Sequence, residues 1–170
     1  MNGRQVTATR TYLEMHNPSE LVHARLPDAE WRVDRMRDCA PAFWRFLYAE
    51  VGREYHWVDR LPWSPEEIHA YLTDPAVSVW LLSVWASPAG YFELRCEGDD
   101  TELVYFGLLR HFHGRGLGGH FLTQAVDRAW ETGARRIWVH TNTLDHAAAL
   151  PNYLKRGFRI FKTENFLIDV

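Results

Sequence analysis

The sequence predicts a mixed α/β fold in which helices flank a mostly antiparallel sheet. Short runs rich in β-branched and aromatic residues alternate with turn residues in the first half of the chain, as in antiparallel strands. Later runs of this kind are separated by longer amphipathic segments, which predict crossover helices. With 46% hydrophobic and 24% charged residues, the 170-residue chain has the composition of one folded domain.

The N-terminal part of the chain predicts two strands and a helix. Val6–Met15 carries enough β-branched and aromatic residues for a strand. Trp31–Met36 alternates between apolar and polar residues, and we expect it to be the first core strand. Asp38 is the predicted N-cap of a helix that ends near Gly52.

An aromatic-rich loop precedes a second predicted helix. Ser64 is a good N-cap for that helix, because a proline follows it and Glu67 completes a capping box. The loop before it carries Tyr55, Trp57 and Trp63. Their side chains form either the wall of a pocket or a plug over the core, and the sequence leaves both interpretations open.

The C-terminal half predicts a series of strands joined by turns. Val77–Val84 reads as a strand, Ser87–Gly90 as its hairpin turn and Gly90–Cys96 as the partner strand. After the last helix, Phe158–Phe161 and Phe166–Val170 read as two short closing strands.

The most informative stretch of the chain is Val104–Trp130, which predicts a strand, a glycine-rich loop and a helix. The apolar run Val104–Leu109 has the length of a buried strand, and an amphipathic helix extends to Trp130, before Gly133. Between them lie four glycines, Gly114, Gly116, Gly118 and Gly119. Glycines let successive backbone N–H groups point inwards, and the helix N-terminus adds its dipole. The stretch therefore predicts a site for an anion such as pyrophosphate.

Two well-known phosphate-binding loops do not match this stretch. The loop of nucleotide triphosphatases needs Lys and then Ser or Thr after its last glycine, whereas His120 and Phe121 follow Gly119. The dinucleotide pattern G-x-G-x-x-G is met by Gly114, Gly116 and Gly119, but that loop belongs near the start of a large parallel domain. A nucleotide-dependent oxidoreductase is therefore only a weak alternative.

The loop resembles that of the GNAT superfamily of acetyl-CoA-dependent N-acetyltransferases. The family's loop reads Arg or Gln, two residues, Gly, one residue, then Gly or Ala, and this chain matches it over His113–Gly118, with His in the first position. A second motif follows the strand Arg136–Thr141, where Tyr153 stands four residues before Gly157 and Phe158. Both motifs have the family's order and spacing, and the resemblance covers about Trp80–Phe161.

The resemblance implies a GNAT fold, with a splayed pair of strands in the sheet and acetyl-CoA as the co-substrate. The expected single domain, 1–170, comprises an N-terminal strand and arm (1–29), the first core strand with acceptor-side helices (30–76) and the cofactor-binding core (77–170). Expected cofactor contacts come from the loop and from the strands and helix beside it: Leu108, Leu109, Arg110, His113, Gly114, Arg115, Gly116, Leu117, Gly118, Gly119, Asn142 and Tyr153. Tyr55, Trp57 and Trp63 are expected on the acceptor side.

Acetyl transfer to an amine needs a base, a polarised carbonyl and an acid that protonates the leaving thiolate. Tyr153 is the expected acid, since GNAT enzymes often carry a Tyr at this place. Glu102 and Glu93 compete as the base: we favour Glu102, and we expect Glu93 to face the substrate cleft from mid-strand.

Asp145 is the expected cap of the last helix, which is either kinked at Pro151 or begins late.

Composition excludes several other classes of protein. A net charge of −3 argues against a dedicated nucleic-acid binder, and no long apolar run predicts a membrane span or a signal peptide. We therefore expect a cytoplasmic protein with reduced Cys39 and Cys96. The nine histidines form no His-Glu-x-x-His pattern and have no Cys-x-x-Cys partner, so we expect no metal site.

The expected partner is a small-molecule amine, with no nucleic acid and no membrane, and the expected state is a monomer or a homodimer. A non-catalytic sensor that binds acyl-CoA on the same fold is the alternative from another functional class.

Overall fold

The computed structural model describes residues 5–169, which form a seven-stranded sheet with helices on both faces. The strands are β1 (Gln5–Met15), β2 (Trp31–Arg35), β3 (Val77–Val84), β4 (Ser87–Glu97), β5 (Asp100–Leu108), β6 (Arg136–Asn142) and β7 (Arg159–Asp169). The helices are α1 (Pro41–Gly52), α2 (Pro65–Thr73), α3 (Gly118–Trp130) and α4 (Ala149–Lys155), with 3₁₀ turns at Pro18–Glu20 and Arg110–Phe112.

The sheet is mostly antiparallel, and its one parallel pair separates after a short contact. The strand order is β2-β3-β4-β5-β6-β1-β7, and within it only β5 and β6 run parallel. They pair only where Asp100–Glu102 meets Arg136–Trp138. Beyond Glu102 and Trp138 the two strands diverge, which confirms the predicted mixed α/β sheet with a splayed strand pair.

Strand β1 occupies an interior place in the sheet, between β6 and β7. Its Ala8, Leu13 and Met15 are fully buried, so this strand belongs to the core. The strand that we expected to be the first core strand, β2, lies instead at the opposite edge of the sheet. An alternating pattern predicts a strand but carries no information about its position in the sheet.

Two hydrophobic layers hold the helices against the sheet. Helices α3 and α4 cover one face, where Phe121 and Val126 of α3 pack with Leu103 of β5 and Ile137 of β6. Helices α1 and α2 cover the other face over β3–β5, where Trp44 and the neighbouring apolar residues of α1 are buried. Because both layers reach β5, the separation of β5 from β6 is flanked by packed helices on both sides.

The predicted caps of two helices are wrong, whereas that of α2 is confirmed by its Ser64–Glu67 capping box. The late start of α4, one of the two alternatives expected around Pro151, is observed. Helix α1 begins after Ala40, which makes no side-chain capping bond, so the predicted cap at Asp38 is wrong. Pro41 occupies the first helical position, where its fixed φ and missing N–H are tolerated.

Helix α4 begins late and is short. It starts at Ala149, so Pro151 lies in the first turn, where a backbone N–H has no partner within the helix. Asp145 does not cap α4, contrary to expectation. Its carboxylate accepts hydrogen bonds from the Thr141 hydroxyl at 2.6 Å and from the Asn142 N–H at 2.9 Å, at the end of β6.

Two strand boundaries also differ from the prediction. The β3–β4 hairpin turns at Trp85 and Ala86, which have φ of 50° and 60°, and not at Ser87–Gly90. This pair of positive φ values is usual for a two-residue hairpin loop, but Trp and Ala are not its usual residues. Strand β7 is continuous over Arg159–Asp169, not two strands, because it pairs with β1 along its length. Val170 lies outside the described residues.

The hairpin turn gives a test of this fold. We expect Ala86→Gly to raise the free energy of unfolding by about 0.5–1 kcal/mol, because glycine adopts a positive φ without the steric cost that alanine has. The matched control is Ala89→Gly in the buried part of β4, which should destabilise the protein. Urea denaturation measures both, and a destabilised Ala86→Gly variant would contradict the turn.

Candidate functional site

A cleft of about 450 Å³ opens where β5 and β6 separate. One wall is formed by Val104–Leu108 of β5 and the other by Val139–Asn142 at the end of β6. The segment between α1 and α2 adds Tyr55, Trp57 and other residues at one side, and the glycine-rich loop adds its backbone at the other. The splay therefore produces a cleft that joins the loop to the face of the sheet.

The glycine-rich loop has the geometry that an anion site requires. Gly114 and Gly116 both have φ of +71°, and a Cβ placed on either would meet nothing within 4 Å. Helix α3 begins directly after them, and its N-cap Leu117 makes no side-chain capping bond. The first N–H groups of α3 are therefore left uncapped by a side chain beside an open loop, and this arrangement fits a pyrophosphate.

Eight of the expected cofactor residues line the cleft: Leu108, His113, Gly114, Gly116, Leu117, Gly118, Asn142 and Tyr153. The imidazole of His113 donates from Nε2 to the Leu108 carbonyl at 2.9 Å, which fastens the loop to the end of β5. The Asn152 amide of α4 donates to the Gly118 carbonyl at 3.1 Å. These two bonds fix both sides of the loop.

The other four expected cofactor residues lie near the loop but not in the cleft lining. Leu109 packs between the two hydrophobic layers. Arg110 is exposed and pairs with Glu54 at 2.9 Å, and the guanidinium of Arg115 lies 5.1 Å from the centre of the Phe112 ring. A Cβ on Gly119 would meet a guanidinium nitrogen of Arg156, so this glycine faces α4.

The aromatic residues before α2 divide between the two interpretations that the sequence left open. Tyr55 and Trp57 line the cleft, and the Trp57 ring lies 4.5 Å from the Tyr105 ring of β5. Trp63 packs on the Trp44 ring at 5.9 Å, within the layer under α1 and α2. The first two therefore form a pocket wall, whereas the third covers the core.

Glu93 does not face the cleft, so the position expected for it is wrong. Its side chain is fully buried and accepts hydrogen bonds from the Trp44 indole at 2.8 Å and the Tyr71 hydroxyl at 2.7 Å. The guanidinium of Arg60 pairs with it at 2.7 Å and lies over four rings, those of Trp44, Trp63, Tyr71 and Tyr105. The alternation of β4 points Glu93 under α1 and α2, where it holds the α1–α2 segment in place.

Glu102 lies beside the cleft at the point where β5 and β6 separate. Burial raises the pKa of Glu102 to about 7, with a further rise from Glu97, whereas Arg60 and Arg95 lower it. Its Oε1 is 4.0 Å from Nε2 of His140, which lines the cleft. The carboxyl group therefore changes charge near neutral pH, close to the cleft but not in its lining.

Tyr153 lies in the cleft lining and is 6% exposed. Burial raises the pKa of its hydroxyl, and Asp145 raises it further, so the group remains protonated at neutral pH. The Phe158 ring packs edge-on against Tyr153 at 5.8 Å and fixes its ring. The protonated phenol of Tyr153 can therefore donate a proton to a group bound in the cleft.

Several cleft residues were missed by the sequence prediction, among them Arg10, Asp59, Tyr105 and His140. The alternating burial of β6 places His140 on the same face as Asn142, so the strand periodicity of the sequence could have predicted His140 as a cleft residue. Arg10 had none, because it reaches the cleft through the pairing of β1 with β6. Over residues 5–169, the His, Cys, Asp and Glu side chains form no group that would hold a metal, and no helix is long and apolar enough to cross a membrane.

The splayed sheet and the glycine-rich loop border the same cleft. The chain belongs to the Acetyltransferase (GNAT) family, whose model matches residues 36–158. This match confirms the resemblance that the two sequence motifs indicated.

Known proteins resemble the chain over part of their length. A mycothiol acetyltransferase of Corynebacterium aurimucosum is 31% identical over 112 residues, which cover 58% of this chain and 36% of that protein. A GCN5-related N-acetyltransferase from Kribbella flavida has a TM-score of 0.67 and 19% identity, over 98% of this chain and 60% of the other. An aminoglycoside N-acetyltransferase solved in complex with CoA has a TM-score of 0.56 and 13% identity, over 83% and 94%. The two structures show the shared fold. The chain spans less than two thirds of the mycothiol acetyltransferase and of the Kribbella protein.

The buried pair of Arg60 and Glu93 gives a second test. We expect Arg60→Met to lower the free energy of unfolding by about 3–5 kcal/mol, because it leaves the Glu93 carboxylate buried without its counter-ion. Adding Glu93→Leu should restore part of that loss, since it removes the uncompensated charge.

The matched control for this test is Arg32→Met, which removes an exposed pair with Asp34 at 3.2 Å. Urea denaturation compares the variants. The assignment would be contradicted if Arg60→Met were as mild as Arg32→Met.

Proposed function

We propose that the protein transfers an acetyl group from acetyl-CoA directly to a primary amine of a small-molecule acceptor. The observation that carries this proposal is the continuity of the cleft, which runs from the glycine-rich loop to Tyr105 and His140 between the splayed strands. Membership of the GNAT family supports an acyl-CoA as the donor, and so does the CoA bound to the aminoglycoside N-acetyltransferase of similar fold.

In this proposal the pyrophosphate binds the backbone N–H groups of residues 113–118, and the pantetheine lies between β5 and β6. The backbone at Val104 is the proposed contact of the thioester carbonyl. Neither β4 nor β6 pairs with it, because the β4–β5 register shifts there and the β5–β6 contact ends at Glu102. The bulge leaves backbone groups of this segment without ladder partners. A backbone N–H here is suited to polarise the thioester carbonyl.

The proposed chemical step uses two titratable groups, Tyr153 in the cleft lining and Glu102 beside the cleft. The neutral amine attacks the carbonyl carbon, a C–N bond forms and the C–S bond breaks. Tyr153 donates its proton to the leaving thiolate, and its raised pKa keeps that proton available. Glu102 takes up the proton that the amine loses, which requires its ionised form and hence a pH above about 7.

The walls of the cleft favour an acceptor that is cationic and partly apolar. Tyr55 and Trp57 offer aromatic faces, and the carboxylate of Asp59 lies in the same lining. Aromatic faces attract ammonium groups, and a carboxylate adds a charge of the opposite sign. We therefore propose a small amine as acceptor, without nucleic acid or a membrane as partner.

The proposal also includes the cellular location, the domain organisation and the oligomeric state of the protein. Cys39 and Cys96 are both free, which is usual for cytoplasmic proteins and supports that location. We propose that residues 1–170 act as one domain, because strands from both ends of the described chain complete the same sheet. A monomer and a homodimer are both compatible with the proposal.

Calorimetric titration of the purified protein with acetyl-CoA, and in parallel with NADH, tests the donor. We expect saturable binding of acetyl-CoA alone. Gly116→Ala should weaken that binding at least about tenfold, because the added methyl group strains a φ of +71° and occupies space beside the loop. The matched control is Gly98→Ala, whose φ is +59° in an equally open turn away from the cleft. Equal affinities of the two variants would place the pyrophosphate elsewhere.

Tyr153→Phe tests the acid. Loss of the hydroxyl should lower kcat by about 10²-fold or more, whereas the dissociation constant of acetyl-CoA should change little. Release of free thiol from acetyl-CoA measures the rate, and titration measures the affinity. A variant with unchanged kcat at its optimal pH would show that another group protonates the thiolate.

A further inference from the structure

His140 is a titratable residue of the cleft for which the reaction above has no use. It lies on β6 directly opposite Tyr12 of β1, and its side chain is 35% exposed. Its Nε2 is 4.0 Å from Oε1 of Glu102, and its buried Nδ1 has no hydrogen-bond partner among the described residues. Glu102 itself is absent from the cleft lining, whereas His140 belongs to it, so the imidazole is the more accessible of the two groups from the cleft.

The surroundings of His140 keep its imidazole neutral. Burial lowers the pKa of His140, and Arg10 of β1 lowers it further, whereas Asp145 and Glu164 act in the opposite direction. On the sheet face, the rings of Tyr12 and Trp138 lie 5.6 and 6.2 Å from the imidazole and supply no charge. A neutral imidazole without a fixed hydrogen bond is able to accept a proton.

The separation of the two groups allows them to act on one atom. Two acceptors 4.0 Å apart can both lie within about 2.9 Å of a single amine nitrogen or water molecule, which is hydrogen-bond distance. Their ionisation preferences also fit, because a carboxylate beside the ring stabilises the imidazolium that forms. The pair therefore has the arrangement of a base and the group that stabilises its charged form.

We propose that His140 accepts the proton of the acceptor amine and works with Glu102 as one proton-transfer unit. This inference rests on the proposed acetyl transfer and moves the first acceptor of the amine proton from Glu102 to His140, with Glu102 as the charge that stabilises the imidazolium. As the C–N bond forms, the amine proton moves to Nε2 of His140, and the imidazolium is held by the ionised Glu102. When the C–S bond has broken, Tyr153 has supplied the proton of the thiol. The imidazolium then releases its proton to solvent, and Tyr153 regains a proton from solvent.

A second role for His140 is to pack against Tyr12 and Trp138 without any part in proton transfer. Four variants distinguish this role from the proposal: His140→Asn, His140→Ala, Glu102→Gln and the double variant that combines His140→Asn with Glu102→Gln. The control is His69→Asn on the exposed face of α2. Rates are measured by thiol release from acetyl-CoA with the best acceptor of a panel of primary amines from 2-phenylethylamine to spermidine.

We expect His140→Asn to lower kcat by about 10²-fold, with the KM for acetyl-CoA and the melting temperature nearly unchanged. The double variant should be little slower than the slower single variant, because the two residues act as one unit. In the wild type, kcat should rise with pH through about 7 as Glu102 ionises, and this rise should be absent from Glu102→Gln. Free imidazole should restore part of the rate of His140→Ala, and His69→Asn should match the wild type.

Three results would overturn the inference: wild-type kcat in His140→Asn, a double variant whose loss is the product of the two single losses, or no rescue by imidazole. Packing alone predicts a lowered melting temperature and none of the kinetic changes. A wild-type protein that binds no acetyl-CoA, or acetylates no amine of the panel, refutes the proposed function and this inference together. If the wild type turns over and His140→Asn has the same kcat, only the inference is refuted.

Discussion

The cleft exists because the contact between β5 and β6 is short. The two strands pair over Asp100–Glu102 and Arg136–Trp138 and then separate, so backbone groups facing the gap have no strand partner. Buried backbone groups of this kind must bond to something, and here a bound ligand is able to serve. The outer sides of both strands remain paired, with β4 and with β1, and helices pack on both faces. The gap is therefore held open by the intact sheet around it.

The two carboxylates that competed for the role of base differ in what surrounds them. Glu93 is fully buried but satisfied, with a guanidinium, an indole and a phenol hydroxyl as donors. Glu102 is partly exposed and has no such donors among residues 5–169, and burial raises its pKa to about 7. A charge that is completely paired serves the structure, whereas one that is incompletely paired is free for chemistry. The residue types alone do not separate these two cases.

Local patterns predicted much of the fold and part of the site. The capping box at Ser64 and the amphipathic pattern of α3 predicted helices correctly, because they depend on neighbours within one turn. The place of β1 and the burial of Glu93 under α1 and α2 were not predictable, since they depend on which distant strands and helices pack together. The glycine-rich loop was recognisable because its conformation is local. Arg10 was not, because it enters the cleft through the pairing of distant strands.

The interior place of β1 bears on how the chain reaches its folded state. Gln5–Met15 is synthesised well before its two neighbours in the sheet, Arg136–Asn142 and Arg159–Asp169. On the ribosome, β1 must wait unpaired until β6 has emerged, with its Ala8, Leu13 and Met15 still exposed. Pairing across so long a chain segment carries a large loop-closure cost before any contact compensates for it. Completion of the sheet is therefore a late folding event, and a chain released before β6 is made would present a bare apolar strand to chaperones.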